Sequence, residues 1–552
     1  RDYFISLLTM IYALILISFS LVIELSPTWS SSDSIAETVF YSWMYGLGSL
    51  FILYSYAFML YPKWWNFIVF VLFKRGTIKN MNKFIIGEVG HNGEGCGTLY
   101  LRLGAVLFGC LSIVLFGFEI FLCMREDSCK ERFIYQDCLL IIFVGLQMHF
   151  IFCNTKMSVT SSRWVCKLGF MHLVAVNLWT WVRFTKTQKK LKKKLAYAIE
   201  HDNDDLLTSS AASVSSSESE ESEEEDLVST TIILDQMPTA LIANQSDINS
   251  IELANVSEIV KNTNTSRTLV SVDYLGDIAS ILTTCLVEYA LIGAAVMFVL
   301  WTTIDSHDNR SIERMRRKSK MRIDCTATSA GIFLGVFVLI LSCVAMGVNA
   351  VYSKLHLDQT ARIATAIFFM VVYILCIIGT LFALIRMRRM QYKESTHGES
   401  LDQILMIVGM ISEFMYCACE IDLFLTGRGK SIYASEDSMP AFIFVVFLVR
   451  YVQVVTQSAF ILLSFRLSAL NPREQRRMAG RQMVTYLLVA NVSLFAFHIY
   501  EGVATSIGYD GPDQSATEII IYAVTPIIAF FRFHSSVCLA EIWKHAYTRK
   551  HH

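Results

Sequence analysis

Twelve long apolar runs constrain this chain more than any other feature. They are Tyr3–Leu25, Thr38–Tyr61, Thr98–Met124, Ile134–Cys153, Val165–Phe184, Ile278–Thr303, Thr326–Tyr352, Arg362–Ile385, Leu401–Leu425, Pro440–Phe465, Arg481–Ile507 and Thr517–Trp543. Each reaches the roughly 20 residues that an α-helix needs to cross a hydrocarbon core, and each is too long for a soluble strand. A transmembrane barrel needs alternating segments of about ten residues, and FFMVVYILCIIGTLFALI (368–385) does not alternate. The expected fold class is therefore an all-α polytopic membrane protein. Composition agrees, with 54% hydrophobic and only 17% charged residues, where soluble domains carry about a quarter charged. A disordered scaffold needs low hydrophobicity and high net charge. A net charge of −1 also excludes a generally basic nucleic-acid binder.

Lysine and arginine in the short loops set the orientation. With the N-terminus inside, the inner connections hold Lys63, Lys74, Arg75, Lys79, Lys83, Lys156, Arg163 and the basic clusters at 310–322, 386–393 and 466–481. That is roughly two dozen basic residues against about six in the short outer loops. Both termini are expected in the cytoplasm of a plasma-membrane protein, and Tyr3–Leu25 is read as a signal anchor. The long segment 186–277 then lies outside, although it opens with KTQKKLKKKL; long loops translocate largely regardless of charge. It carries sequons at Asn244, Asn255 and Asn264, and an acidic run, SVSSSESEESEEED (213–226), expected to be disordered. Asn309 and Asn491 also match the sequon, one on an inner loop and one inside a span. The 14 Cys sit mostly within spans as small buried apolar residues; Cys129 in a short outer loop has Cys123 as a possible partner.

Twelve spans suggest two six-helix domains, 1–304 and 305–552, related by a pseudo-two-fold axis normal to the membrane. LVAVNLW (173–179) resembles LVANVSLF (488–495), and Gln453 is read as the counterpart of Gln147.

Ionisable and amide side chains within the runs carry the functional argument, because a charge at the bilayer centre costs at least ~2.5–3.5 kcal/mol. Asn491, His498 and Glu501 fall at i, i+7 and i+10; Arg450, Gln453 and Gln457 form a second stripe; Glu413 and Glu420 share a face. His172 and Asn177 are about 140° apart and serve different faces. Arg102 and Arg450 are read as snorkelling from near span ends, and Glu420, Glu541 and Arg362 as close to ends. His172, Glu288 and His534 lie deep in apolar runs, where histidines and carboxylates can relay protons; a neutral histidine satisfied by a neighbour is the competing account. Gln147, Asn177 and Asn491 are expected to order water or to bond between helices, and Glu119 and Arg532 complete the set. No potassium-filter sequence, Walker motif, HExxH or GxSxG occurs, and no cofactor is expected.

At these positions the chain resembles the otopetrins, a family of proton-selective channels. The resemblance rests on GTLYLRLGA from Gly97, QMHFIFCNTK from Gln147, GFMHLVAVNLWTW from Gly169, VEYALIGA from Val287, NPR from Asn471 and FFRFHSSVCLAEIW from Phe530. It implies twelve helices in two six-helix domains, a homodimer, and inward proton flow driven by outside acid. By position it assigns His172 and Asn177 to the fifth-span block, Glu288 to the sixth, and Arg532 and His534 to the twelfth. The sequence departs after Asn177, where Leu178 and Trp179 stand and family members often have Cys. Zinc inhibition is a family property; His201 and His356, the only outer-loop histidines, are weak candidates for it. The alternative functions are a proton-coupled transporter of a small solute and, with no convergent nucleophile or metal set, a membrane-embedded enzyme.

Overall fold

A computed structural model describes residues 2–25, 35–77, 80–81, 84–85, 99–125, 129, 131–154, 163–188, 275, 277–304, 328–355, 357–392, 397–426, 439–469, 478–501 and 516–547. The acidic loop, the sequons at Asn244, Asn255 and Asn264, and His201 and His356 lie outside the described residues, as does the side chain of Glu501. The described residues form twelve helices long and apolar enough to cross a membrane. In chain order they are α1 (Asp2–Leu25), α2 (Ile35–Leu60), α3 (Leu99–Cys123), α4 (Glu131–Asn154), α5 (Arg163–Gln188) and α6 (Asp277–Thr303). There follow α7 (Ser329–Lys354), α8 (Asp358–Met387), α9 (His397–Leu425), α10 (Met439–Ser464), α11 (Arg481–Glu501) and α12 (Ala516–His545). Every apolar run overlaps one of them. In hydrocarbon a backbone must satisfy its own N–H and C=O groups, which a helix does within one segment. Buried hydroxyls follow the same rule by bonding one turn back, as Ser112 does to Phe108, Thr180 to Val176 and Thr365 to Ala361.

The helices are not equivalent. Of the most apolar stretch of α12, 83% is buried inside the protein, and of α6, 78%, against 22% for α1 and for α7. Helices α6 and α12 therefore form the centre, while α1 and α7 turn large apolar side chains such as Phe4, Leu14 and Phe333 outward. Two hydrophobic cores form. One is built mainly from α1–α6 and takes Leu401, Leu405, Ile527, Phe530 and Val537 from α9 and α12; the other is built from α7–α12. Phe108 of α3, Phe495 of α11 and Phe533 of α12 meet in tilted and edge-to-face ring contacts where the two cores join. Helices α7 and α11 pack almost backbone to backbone. A Cβ on Gly331 would lie 2.0 Å from the carbonyl oxygen of Gln482, and one on Gly335 2.5 Å from Val489. This is the small-xxx-small device that lets membrane helices approach closely.

Three features go beyond the sequence expectations. Helix α2 contains two π-helical turns, Ser42–Gly46 and Ser55–Leu60; such turns widen the helix and redirect the carbonyls near them. A separate short helix, Lys63–Lys74, follows it in place of a plain loop; its 12 residues reach only about 18 Å and cannot span. Finally, β1 (Gln391–Tyr392) pairs antiparallel with β2 (Leu467–Ser468), joining the α8–α9 and α10–α11 connections. The segment after α12 docks there: Ala469 donates to the Ala546 carbonyl, and Tyr547 donates to that of Ala479. Burial pushes the Tyr547 phenol up from its ordinary value. At the opposite end of the bundle Cys123 and Cys129 are joined in a disulfide.

Candidate functional site

The polar interior falls into three groups. In the first half, His172 on α5 is 2% exposed. Its Nε2 lies 3.1 Å from the carbonyl of Met44, inside the first π turn of α2, and its Nδ1 lies 2.9 Å from the Tyr12 hydroxyl of α1. A carbonyl only accepts, so Nε2 carries a proton and Nδ1 faces a group that can act either way. Tyr12 can donate to the neutral ring or accept from the protonated one, so His172 can gain a proton without losing a bond. On the other face of α5, Asn177 and Gln147 of α4 exchange two amide bonds of 2.9 Å, and Asn177 also donates to Leu173. This is the separation of faces that the 140° offset implies. Gly293 of α6 lets the pair fit, since a Cβ there would come within 2.6 Å of both Asn177 Oδ1 and Gln147 Nε2. Tyr289 donates to the Val144 carbonyl beside them.

Two turns along α5 from His172 towards the disulfide end, Trp179 stands among Phe40, Tyr41 and Tyr45, with ring centroids 4.9–5.4 Å apart. Its indole donates to Glu24 of α1 at 3.0 Å, and the Arg183 guanidinium lies 3.9 Å over the Tyr41 ring. Trp179 thus sits in an aromatic cage towards that end of α5.

The second half repeats the amide pair. Gln457 of α10 donates to Asn491 of α11 at 2.9 Å, and Asn491 returns a bond of 3.1 Å and donates one turn back to Leu487. The glutamine that pairs with Asn491, as Gln147 pairs with Asn177, is Gln457 and not Gln453, which donates to Gln457 and accepts from Arg532 at 2.7 Å. Arg532 of α12 in turn pairs with Glu413 of α9 at 2.9 Å, and Glu413 pairs with Arg450 of α10 at 2.8 Å. The result is a buried polar chain across four helices. Arg450 is the twelfth residue of a 26-residue helix, so it does not snorkel from a span end; it is held in the core by a carboxylate. His498 of α11 stacks on Phe369 at 5.5 Å and faces Glu413 electrostatically.

The third group lies where the halves meet, between α6 and α12. Glu288 is fully enclosed; among the described residues neither carboxylate oxygen has a hydrogen-bond partner, and the backbone of Phe530 is a group it faces. The ring of that same Phe530 stacks on His534 at 5.3 Å. His534 Nε2 donates to the Asp402 carbonyl of α9 at 2.8 Å, while Nδ1 has no hydrogen-bond partner among the described residues. Pro526 deletes one rung of the α12 ladder a turn before Phe530.

Of the residues singled out by sequence, the structure brings Glu288 and His534 to one phenylalanine, Gln147 to Asn177, and Arg532 into one chain with Asn491. Glu119 is buried on α3 one turn before Cys123. Sequence reasoning leaves Glu413, Arg450, Gln453, Gln457 and Tyr12 outside the set proposed for permeation or gating. The signal for the first two is their position near the middle of an apolar run; for Tyr12 none exists.

The family model described as Otopetrin matches residues 100–533. Among curated proteins, the chain is 27% identical over 486 residues to the Drosophila melanogaster protein named Proton channel OtopLc. That match covers 84% of this chain and 29% of the relative, so the chain spans under a third of the relative's length.

Proposed function

The chain belongs to the otopetrin family, and from that premise we propose that it is a proton-selective channel passing protons into the cell when the outside is acidified. The observation that carries the reading is the α6–α12 contact, where Glu288 and His534 flank Phe530 in the most buried part of the bundle. A fixed carboxyl and a fixed imidazole, each with an unused acceptor atom, are groups that can take up and pass on a proton. His172 is a further relay or gating group, because the Tyr12 hydroxyl serves both of its protonation states. The two amide pairs, Gln147–Asn177 and Gln457–Asn491, carry no proton; they order the helices and any water between them. A curated relative named as a proton channel supports the same reading. Proton-coupled solute transport is the weaker alternative, and no observation favours it.

The proposed assembly is a homodimer in the plasma membrane, with both termini cytoplasmic. The disulfide Cys123–Cys129 lies at the end away from the termini, which suits an oxidising exterior. Glycosylation of Asn244, Asn255 or Asn264 belongs to the same side. The domain division at 304/305 is supported by the two cores and by the repeat of the amide pair in each half.

The test is whole-cell current in expressing cells as outside pH falls. The reversal potential is expected to move by about 59 mV per pH unit of gradient, the slope for one transferred charge. Glu288→Gln and His534→Gln are expected to reduce the acid-evoked current while surface expression is kept. A reversal potential that follows sodium or chloride, or normal currents in both variants, would overturn the assignment.

A further inference from the structure

We propose that the short helix Lys63–Lys74 is a membrane-surface anchor that binds anionic phospholipid headgroups in the leaflet at the end of the bundle carrying both chain termini. Its sequence, KWWNFIVFVLFK, has no acidic residue, and the segment 61–87 carries five basic residues and none that is acidic. One face packs on the protein: Val69 is 1% exposed, and the Trp65 indole donates to the Phe84 carbonyl at 3.1 Å. The opposite face is apolar and open, with Phe67 66% and Phe70 51% exposed and Trp64 beside them at 44%. Helix geometry places Lys63 and Lys74 about three turns apart and within about 20° of one azimuth, with Phe67 and Phe70 between them.

That arrangement suits one environment. Phenylalanines so exposed are costly in water, and a helix this short cannot cross the core. Lying in the interface, it buries Phe67 and Phe70 among acyl chains, while the lysines at its two ends and Arg75 just beyond reach up to phosphate. Trp64 and Trp65 have the amphipathic rings that favour headgroup level. Each basic side chain near an anionic leaflet strengthens binding about fivefold, and the helix itself carries no acidic residue to oppose a phosphate. The helix leads directly from the second π turn of α2, through Pro62, so the anchor is coupled to the helix whose first π turn holds His172.

The test uses the purified full chain in nanodiscs of phosphatidylcholine with phosphatidylserine, transferred to the gas phase for mass measurement of retained lipid. Wild type is expected to retain phosphatidylserine over phosphatidylcholine. The variant K63Q/K74Q/R75Q is expected to lose at least tenfold of that preference, while R386Q/R388Q/R389Q, with the same change in charge, keeps it. In a background with exposed cysteines replaced by serine, a spin label at F67C is expected to relax with oxygen rather than with a water-soluble nickel complex. Equal loss in both charge variants, or none in either, overturns the proposal. So does a label at 67 that reports water, or spin coupling to a second copy of the chain.

Discussion

Replacing Glu413 by Gln leaves two guanidinium groups in the core of the second half with no countercharge. The ion pairs to Arg450 and Arg532 are 2.8 and 2.9 Å long, and both arginine side chains are enclosed. At an effective dielectric of about 20, each pair represents about 6 kcal/mol of gross attraction. Desolvation cancels much of it, and breaking a buried pair costs about 3–5 kcal/mol net. Glu413→Gln breaks both pairs. Arg532→Gln breaks one and takes away the donor to Gln453, but Glu413 and Arg450 still neutralise each other. The order of damage is therefore Glu413→Gln first and Arg532→Gln second. For a chain this large, about 2 °C of midpoint accompanies each kcal/mol, so at about 3–5 kcal/mol per pair Arg532→Gln should fall by about 6–10 °C and Glu413→Gln by about twice that. Thermal unfolding in detergent, read at one scan rate by size exclusion with fluorescence detection, measures the difference. An Arg532→Gln midpoint at or below that of Glu413→Gln would falsify the charge arithmetic, as would a Glu413→Gln midpoint within about 1 °C of wild type.

Two more predictions rest on close geometry. Gly293→Ala places a Cβ 2.6 Å from both amide groups of Gln147 and Asn177, so it should part the pair at a cost of about 1–3 kcal/mol; an unchanged midpoint in the same unfolding assay argues against this packing. Cys123 and Cys129 should remain unmodified by an impermeant maleimide on intact cells until a reductant is added, and then take up two labels that the Cys123→Ser/Cys129→Ser variant lacks. Labelling only after permeabilisation would reverse the proposed orientation.

Several parts of the polar interior are legible in the residue pattern. The stripe Arg450, Gln453, Gln457 faces inward as its spacing implies, and His172 and Asn177 serve separate partners as their offset requires. Legibility fails where a partner lies on a distant helix. Tyr12 and His172 are 160 residues apart, and nothing local in either run announces their meeting. Arg450 reads as a snorkelling residue although it stands near the middle of its run, because the carboxylate that holds it in the core, Glu413, lies on another helix. The short helix Lys63–Lys74 is hidden by its length, too brief to register as a span and too apolar to read as an ordinary loop.

The sequence by itself determined that this chain lives in a bilayer, that it crosses about twelve times, and that a small set of ionisable groups lies within the spans. Those properties follow from local chemistry, since each apolar run must form a helix wherever water is absent. Tertiary structure decided which of those groups meet. Helices α6 and α12 became the centre, Glu413 came to lie between two arginines, and Glu288 and His534 came to share Phe530. Such pairings depend on rotation and depth of one helix against another, and a residue's own neighbours in sequence carry no record of either.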